Sequence, residues 1–441
     1  MLRVAAANGR EGKALLARLV ARRASPDFAT LRDALPIVEA VLAGGAPALA
    51  GFVRDLDGEA LPEKALLAKP LREKDVDPAF VAAFRLARKR LEAYHRRQLP
   101  MGFAFRDALG VSFVEKPVPH EAVGVYVPGG RAFYPSSLLM GVVPARVAGA
   151  KRVVVATPPR AFRGSRELRW ALGELGIDAV LLAGGAHGIA GLVSVAGCTK
   201  VVGPGNRWVA AAKHLVSGVV SVDMPAGPSE VLILATEGAE PAFVAADLLA
   251  QAEHDPDAVC LLFTDRRDLA EATAREVARR LEGLPIAGTA KASIGANGFA
   301  LVFPALEAAA KAGIPLAFEH VELMGRAAEE YAARFAATSG AVFVGSGTPT
   351  AFGDYLAGPN HVLPTGGSAR SFSGLSVRDF LRWGRSVSVP PSAARRLGPA
   401  AATLARFEGL EAHARSLDLR SGDVLGGART GRVPRARRAV R

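Results

Sequence analysis

The feature that most constrains this chain is an alternation that begins near Val111. Short β-branched runs are separated by alanine-rich stretches at helical spacing. The pattern predicts strands over 122–127, 152–156, 178–183, 200–202 and 219–222, with helices between them over 136–148 and 165–175. A second series predicts strands over 231–235, 259–264, 298–302, 316–318 and 341–344. Its helices fall at 241–254, 267–281, 306–312 and 327–337. Strands that alternate with helices predict parallel sheets with crossover connections. The two series are of similar size, so two α/β halves are expected, though no strong internal repeat is visible.

At 441 residues the chain is long for one core. The reading divides it into a helical N-terminal segment (1–110), a first α/β domain (111–225), a second (226–376) and a helical C-terminal segment (377–441). The first hundred residues read mostly as helix. Apolar positions at helical spacing over 78–97 open on Pro78, which suits a first helical turn, and end at Leu99-Pro100. After Pro390 the pattern is helical again over 393–416. It then runs into a Gly/Arg-rich end expected to be disordered.

Bulk properties exclude several classes. The formal net charge is +13, but residues 1–24 carry +5 of it and residues 429–441 carry +6. A nucleic-acid groove would place basic groups on the folded body, among aromatics. Here solvated, frayed ends are expected instead, and no nucleic-acid partner. The two cysteines, Cys198 and Cys260, form no short metal motif and no disulfide framework. With so few cysteines a reducing, cytoplasmic compartment is expected; no apolar run of about 18 residues and no secretory signal are read, so no membrane partner is expected.

Chemistry concentrates in the second half. Asp247, Gln251 and His254 stand at i, i+4 and i+7 of a predicted helix, in LLAQAEHDP. The stripe points to a site at that helix's C-terminus; a solvated face with a C-terminal histidine is the plainer alternative. Glu319-His320 directly follows the strand expected at 316–318, and strand ends in open α/β sheets are where ligand sites form. Adjacent Glu and His offer two distinct bases on one loop. The turn-rich GDYLAGPNHVLPT holds Asp354, Asn360 and His361. Glu408 and His413 lie five apart on the last expected helix, an awkward spacing for one face. Upstream, YVPGGRAFYPSS, LAGGAHG, VVGPGNRW and DMPAGPSE could each present backbone N–H groups to phosphate or be plain turns. None is the strand–GxGxxG–helix fingerprint.

Taken together, the ordered stretches VGVYVPGGRAFYPSSLLMGVVPA, VVGPGNRWVAAAK, DMPAGPSEVLILA, DLLAQAEHD, EHVEL, GDYLAGPNHVLPTGGSAR and EGLEAH resemble the histidinol dehydrogenase family over about residues 80–420. The resemblance implies two doubly wound, incomplete Rossmann-like α/β domains with helical ends. It implies a zinc-containing homodimer that oxidises L-histidinol to L-histidine in two steps with two NAD, its active sites completed between subunits. Implied metal ligands are Gln251, His254, Asp354 and, from the partner subunit, His413. His320 would take the alcohol proton, and Glu319 would activate water on the bound aldehyde. Ser229, His361 and Glu408 match substrate-contacting positions, and Tyr126, His187 and Asn206 match cofactor positions.

The chain departs from the family pattern in three places. His187 stands where the family usually has Gln. The stretch LVSVAGCTKVV before GPGN is shorter than usual. Phe318 replaces the proline that usually precedes Glu-His. Two other readings stay open: a paralogue acting on another amino or sulfonated alcohol, and a non-catalytic regulatory protein.

Overall fold

The computed structural model describes residues 1–21, 27–71, 73–129, 133–224, 227–285 and 287–422. The basic end that begins at residue 429 lies outside these. In chain order the strands are β1 (Arg3–Ala6), β2 (Leu67–Ala68), β3 (Phe103–Arg106), β4 (Ser112–Pro119), β5 (Ala122–Tyr126), β6 (Arg152–Thr157), β7 (Ala179–Leu182) and β8 (Lys200–Val202). They continue with β9 (Ser221–Val222), β10 (Glu230–Ala235), β11 (Val259–Thr264), β12 (Gly298–Val302), β13 (His320–Met324), β14 (Ala341–Val344) and β15 (Leu381–Ser388). The chain forms two compact units, one of Met1–Leu99 with Pro119–Leu381, the other of Pro100–Val118 with the chain from Arg382 on.

The first unit holds two six-stranded sheets, ordered β2-β7-β6-β5-β8-β9 and β1-β12-β11-β10-β13-β14. The two orders follow one plan. A first strand lies in the middle, the next two stack to one side and the last two to the other. One edge strand comes from the N-terminal segment. Every mapped pairing is parallel except β2 with β7. Each sheet therefore reverses its winding once, between β5 and β8 in the first and between β10 and β13 in the second. The α/β reading of the sequence holds.

Helices cover both faces of both sheets, which is why the strands read as near-continuous apolar runs. In β10 every residue of EVLILA is buried. Val123, Val125, Val153 and Val155 face one core, and Val154, Ala156, Leu181 and Val201 face the opposite one. In the second sheet Val231 and Ile233 pack with Val244, Leu248 and Leu249, while Leu232 and Leu234 pack with Phe318 and Phe335.

Four expectations need correction. The N-terminus is not a frayed arm: Arg3–Ala6 pairs with Phe299–Val302 as an edge strand, and Arg10–Ala21 is helical. The second correction concerns apolar length. One helix, within Phe28–Asp57, is long and apolar enough to cross a membrane by length and composition. It kinks at Gly45 (φ 57°), and its Val38, Val41, Leu49 and Val53 are buried in the first sheet's core. Third, 316–318 is not a strand. Ile314–Leu316 is a 3₁₀ turn, and Ala317 adopts a left-handed conformation (φ 51°, ψ 55°), at a cost of about 1–2 kcal/mol for an L-residue. That turn drops Phe318 into the core and delays the strand to His320.

The fourth correction lies in the second unit, where the last helix is two helices. Pro391–Phe407 and Glu411–Ser421 are separated by a turn at Gly409 (φ 76°) and packed through Ala402, Ala405 and Ala414. The same unit contains a three-stranded sheet ordered β15-β4-β3, with β3 and β4 antiparallel.

Candidate active site

At the first sheet's winding reversal, the C-terminal ends of β5 and β8 lie side by side. Ligand crevices in open α/β sheets form at such points. Tyr126 ends β5; it is 4% exposed and its hydroxyl accepts a hydrogen bond from Gly185 N at 3.0 Å. Burial pushes the Tyr126 phenol up to about 12, so it stays protonated. Beyond β8, Gly203 (φ 126°) passes so close to β5 that a Cβ would lie 2.3 Å from the Tyr126 carbonyl oxygen. Only glycine fits there.

The Gly203 turn is held by a buried ion pair. Lys213 Nζ donates to Asp223 Oδ1 at 2.6 Å and to the Gly203 carbonyl at 2.9 Å, and Gly203 N donates to Asp223 Oδ2 at 2.8 Å. Lys213→Met is expected to destabilise the protein by about 3–5 kcal/mol, because it leaves the Asp223 charge buried and unpaired. Urea unfolding would measure this; a loss below about 1 kcal/mol, the size of a surface pair, would refute it. Asn206 Oδ1 caps the Arg207–Val216 helix by accepting from Trp208 N and Val209 N, which leaves its Nδ2 group as the donor it can offer a ligand.

His187 is buried, with Nε2 2.9 Å from Asp57 Oδ2, and Asp57 Oδ2 also accepts from Gly184 N. Asp57, from the helical N-terminal segment, was invisible as a site residue in the sequence: it lies 130 positions from its partner.

In the second sheet the expected groups gather at the opposite edge. Glu319 and His320 stand at the start of β13, beside the start of β10, and not after a strand as the sequence reading had it. Both are 5% exposed. His320 Nδ1 lies 3.4 Å from Glu319 Oε2 and 3.3 Å from the Glu230 carbonyl oxygen. Burial alone would lower the His320 pKa. The Glu319 charge and contact, with the Asp354 charge behind them, overcome that and raise it to about 9.

Gln251 lies in the last turn of the Pro241–Ala252 helix and His254 in the turn just beyond it, not on the helix. Of the stripe, Asp247 and Gln251 are buried, 9% and 3% exposed, while His254 is exposed. Asp354 comes from the short Thr350–Tyr355 helix, and His361 Nδ1 lies 3.1 Å from its carbonyl oxygen and 3.5 Å from its Oδ1. Burial works to raise the Asp354 pKa. The His361 contact and the charges of His361, His320 and His254 outweigh it, and the carboxyl is held below its ordinary value. A cavity of ≈ 60 Å³ opens among His320, Phe343, Gly353, Asn360 and His361. Ser229 precedes β10, its carbonyl accepting from Val259 N.

One layer deeper the three elements meet again. Glu322, two residues beyond His320 on the same face of β13, accepts from Thr350 N at 2.6 Å. It also faces Asp247. Burial raises both carboxyls well above the ordinary range, and for Glu322 the Asp247 charge adds to it. A proton shared between them accounts for Glu322 Oε2, which among the described residues otherwise has no partner. The sequence signal for Glu230 and Glu322 was present: ionisable residues inside EVLILA and HVELM, strands that are otherwise apolar.

The donors also bear on a metal. His254 and Asp354 offer imidazole nitrogen and carboxylate, ordinary zinc ligands, while Gln251 offers an amide oxygen, a weak one. The Gln251 amide is buried and has no side-chain hydrogen bond among the described residues. Only two of the three are of the His, Cys, Asp or Glu type. Among the described residues no group of three or more such side chains is placed to hold a metal. Glu408 and His413 belong to the other compact unit. Glu408 caps one helix, His413 lies in the next, and both are exposed.

A glycine-lined strand edge at one winding reversal and a buried Glu–His pair at the other are the two candidate ligand edges of this α/β protein, and its relatives are oxidoreductases of one family. A family model described as histidinol dehydrogenase matches residues 21–421. The chain is 47% identical over 342 residues to histidinol dehydrogenase from Nitrobacter winogradskyi, covering 77% of this chain and 80% of that protein. It is 44% identical over 388 residues to the Thermus thermophilus protein of the same name, covering 87% and 93%. The crystal structure of histidinol dehydrogenase from Elizabethkingia anophelis superposes with a TM-score of 0.82 at 28% identity, over 95% of this chain and 98% of that one. The chain belongs to the histidinol dehydrogenase family.

Proposed function

We propose that this chain oxidises L-histidinol to L-histidine through a retained L-histidinal, using two NAD as co-substrates. The observation that carries the reading is the buried Glu319–His320 pair beside the elements that bear Gln251, His254 and Asp354. His320 takes the alcohol proton as the first hydride leaves the carbinol carbon. Glu319 then takes a proton from the water that attacks the aldehyde carbon, and the resulting hydrate loses the second hydride and becomes the carboxylic acid. Keeping the aldehyde inside a buried site protects it from side reactions.

Gln251, His254 and Asp354, with His413 of the partner subunit, would hold zinc in a homodimer. Zinc, when bound, supplies positive charge that anchors the amino and imidazole nitrogens of the substrate. His361, Ser229 and the partner subunit's Glu408 contact that substrate. Tyr126, His187 and Asn206 line the dinucleotide site. Asp57, beside His187, favours a proton on Nε2 of that ring and leaves Nδ1 as the acceptor.

Purified, zinc-loaded protein at mildly alkaline pH is expected to form two NADH per L-histidinol consumed, with L-histidine as product. One NADH with released aldehyde would reject the two-step reading. No NADH, with zinc bound and the fold intact, would point to another alcohol.

A further inference from the structure

β10 and β13 are neighbours in register, Val231 opposite His320. At their heads the ladder gives way to side chains. Glu319 N donates to Glu230 Oε1 at 3.1 Å, and Glu230 N donates to Glu319 Oε2 at 2.9 Å. Each glutamate thus caps the other's strand. The two are 1% and 5% exposed, so each carboxylate depends on such donors in place of water. The Glu230 main-chain oxygen is also one of the two groups facing His320 Nδ1, at 3.3 Å. Nothing in the ladder itself requires this exchange; a strand head of ordinary residues would end in a turn or in water.

We infer that Glu230 is a positioning residue for both bases: its carboxylate fixes the Glu319 backbone, and its N–H fixes the Glu319 carboxylate through Oε2, keeping Oε1 outside the exchange and available to water. This rests on reading Glu319 and His320 as the bases. The role belongs to the reach of the Glu230 side chain and not to its charge, because what Glu319 N–H needs is an acceptor at that place.

Two substitutions separate reach from charge. Glu230→Gln keeps an acceptor at the same reach and loses the charge. Glu230→Asp keeps the charge and withdraws the acceptor by about 1.5 Å, one carbon–carbon bond. A misplacement of about 1 Å can cost up to about 100-fold in rate. Kinetics are run on the zinc-loaded dimer, with L-histidinol and L-histidinal as separate substrates. For Glu230→Asp, kcat for the aldehyde is expected to fall at least about tenfold, with KM and zinc content within about twofold of the parent. Glu230→Gln is expected to stay within about threefold.

The opposite order, Asp active and Gln inactive, would assign the role to charge and overturn the proposal. So would parental rates in both variants. If Glu230→Asp does not fold, Glu230→Gln still decides: a kcat below about a tenth of the parent's rejects the brace. Glu319→Gln is measured alongside. Parental aldehyde oxidation in that variant would sink the assignment of Glu319 as base. Loss there, with Glu230→Asp unaffected, would sink the brace alone.

Discussion

Replacing His320 with glutamine is expected to lower kcat for alcohol oxidation by about 10²–10⁴-fold, the usual contribution of a positioned base, with zinc content equal to the parent's. Glutamine keeps the size and polarity of the side chain but cannot accept a proton. The ring is held by Glu319 Oε2 and the Glu230 carbonyl, both on the Nδ1 side, and the residue lines the cavity shared with His361 and Asn360. Metal analysis beside the kinetics tests whether base and ligand roles are separate; equal loss of zinc and activity would show that they are not.

The same residue sets a pH dependence. A base works only when neutral. Burial favours that neutral form, but the Glu319 charge overrides it and raises His320 to about 9. The rate is therefore expected to climb as pH rises toward that value. A cation bound among Gln251, His254 and Asp354 opposes protonation and draws the limb down. Glu319→Gln removes the negative charge that does most to hold the proton on His320, so the limb of kcat/KM for the alcohol is expected to move to lower pH. A limb that stays in place would break the electrostatic link between the two residues.

Asp354→Asn is expected to weaken zinc retention by at least about 100-fold, the upper end of what groups merely supporting a metal ligand contribute. Asp354 is the only anionic donor of the three on the first compact unit, since Gln251 is an amide and His254 binds a metal as neutral imidazole. Its carboxyl is kept ionised by His361, His320 and His254 against the effect of burial. Asparagine retains the shape and loses the charge, so folding is expected to change little while metal and substrate affinity fall together. Zinc content after dialysis against a chelator is the measurement; full retention would remove Asp354 from the ligand set.

How far the site could be read beforehand differed from element to element. Strands at Lys200–Val202, Val259–Thr264, Gly298–Val302 and Ala341–Val344 were visible because a strand covered on both faces is an apolar run bounded by turns. LAQAEHD, EHVEL and GPNHVLP were visible as chemistry because their residue types can bind metals and move protons. The start of β13 was missed for a physical reason. HVELM places His320 and Glu322 on one face, and their burial makes sense only against Asp247 on a helix some 70 residues earlier. A local reading therefore preferred the apolar stretch before it. β1 escaped for the same reason: RVAA becomes a strand by pairing with Phe299–Val302, at the far side of the sequence. Glu408 and His413 were read onto one helix because nothing nearby except Gly409 interrupts the apolar spacing.

The sequence by itself determined the alternation of strands and helices that builds the two parallel sheets and which stretches are rich in metal-binding and proton-moving side chains, since periodicity and side-chain type are local properties. Only the tertiary structure decided which strand ends meet. The edge that bears Tyr126 and Gly203 formed at the C-terminal ends of β5 and β8, and the edge that bears Glu319 and His320 at the N-terminal heads of β10 and β13. That choice depends on pairing and register between segments 89 residues apart, and a one-residue slip would turn His320 and Glu322 to the opposite face.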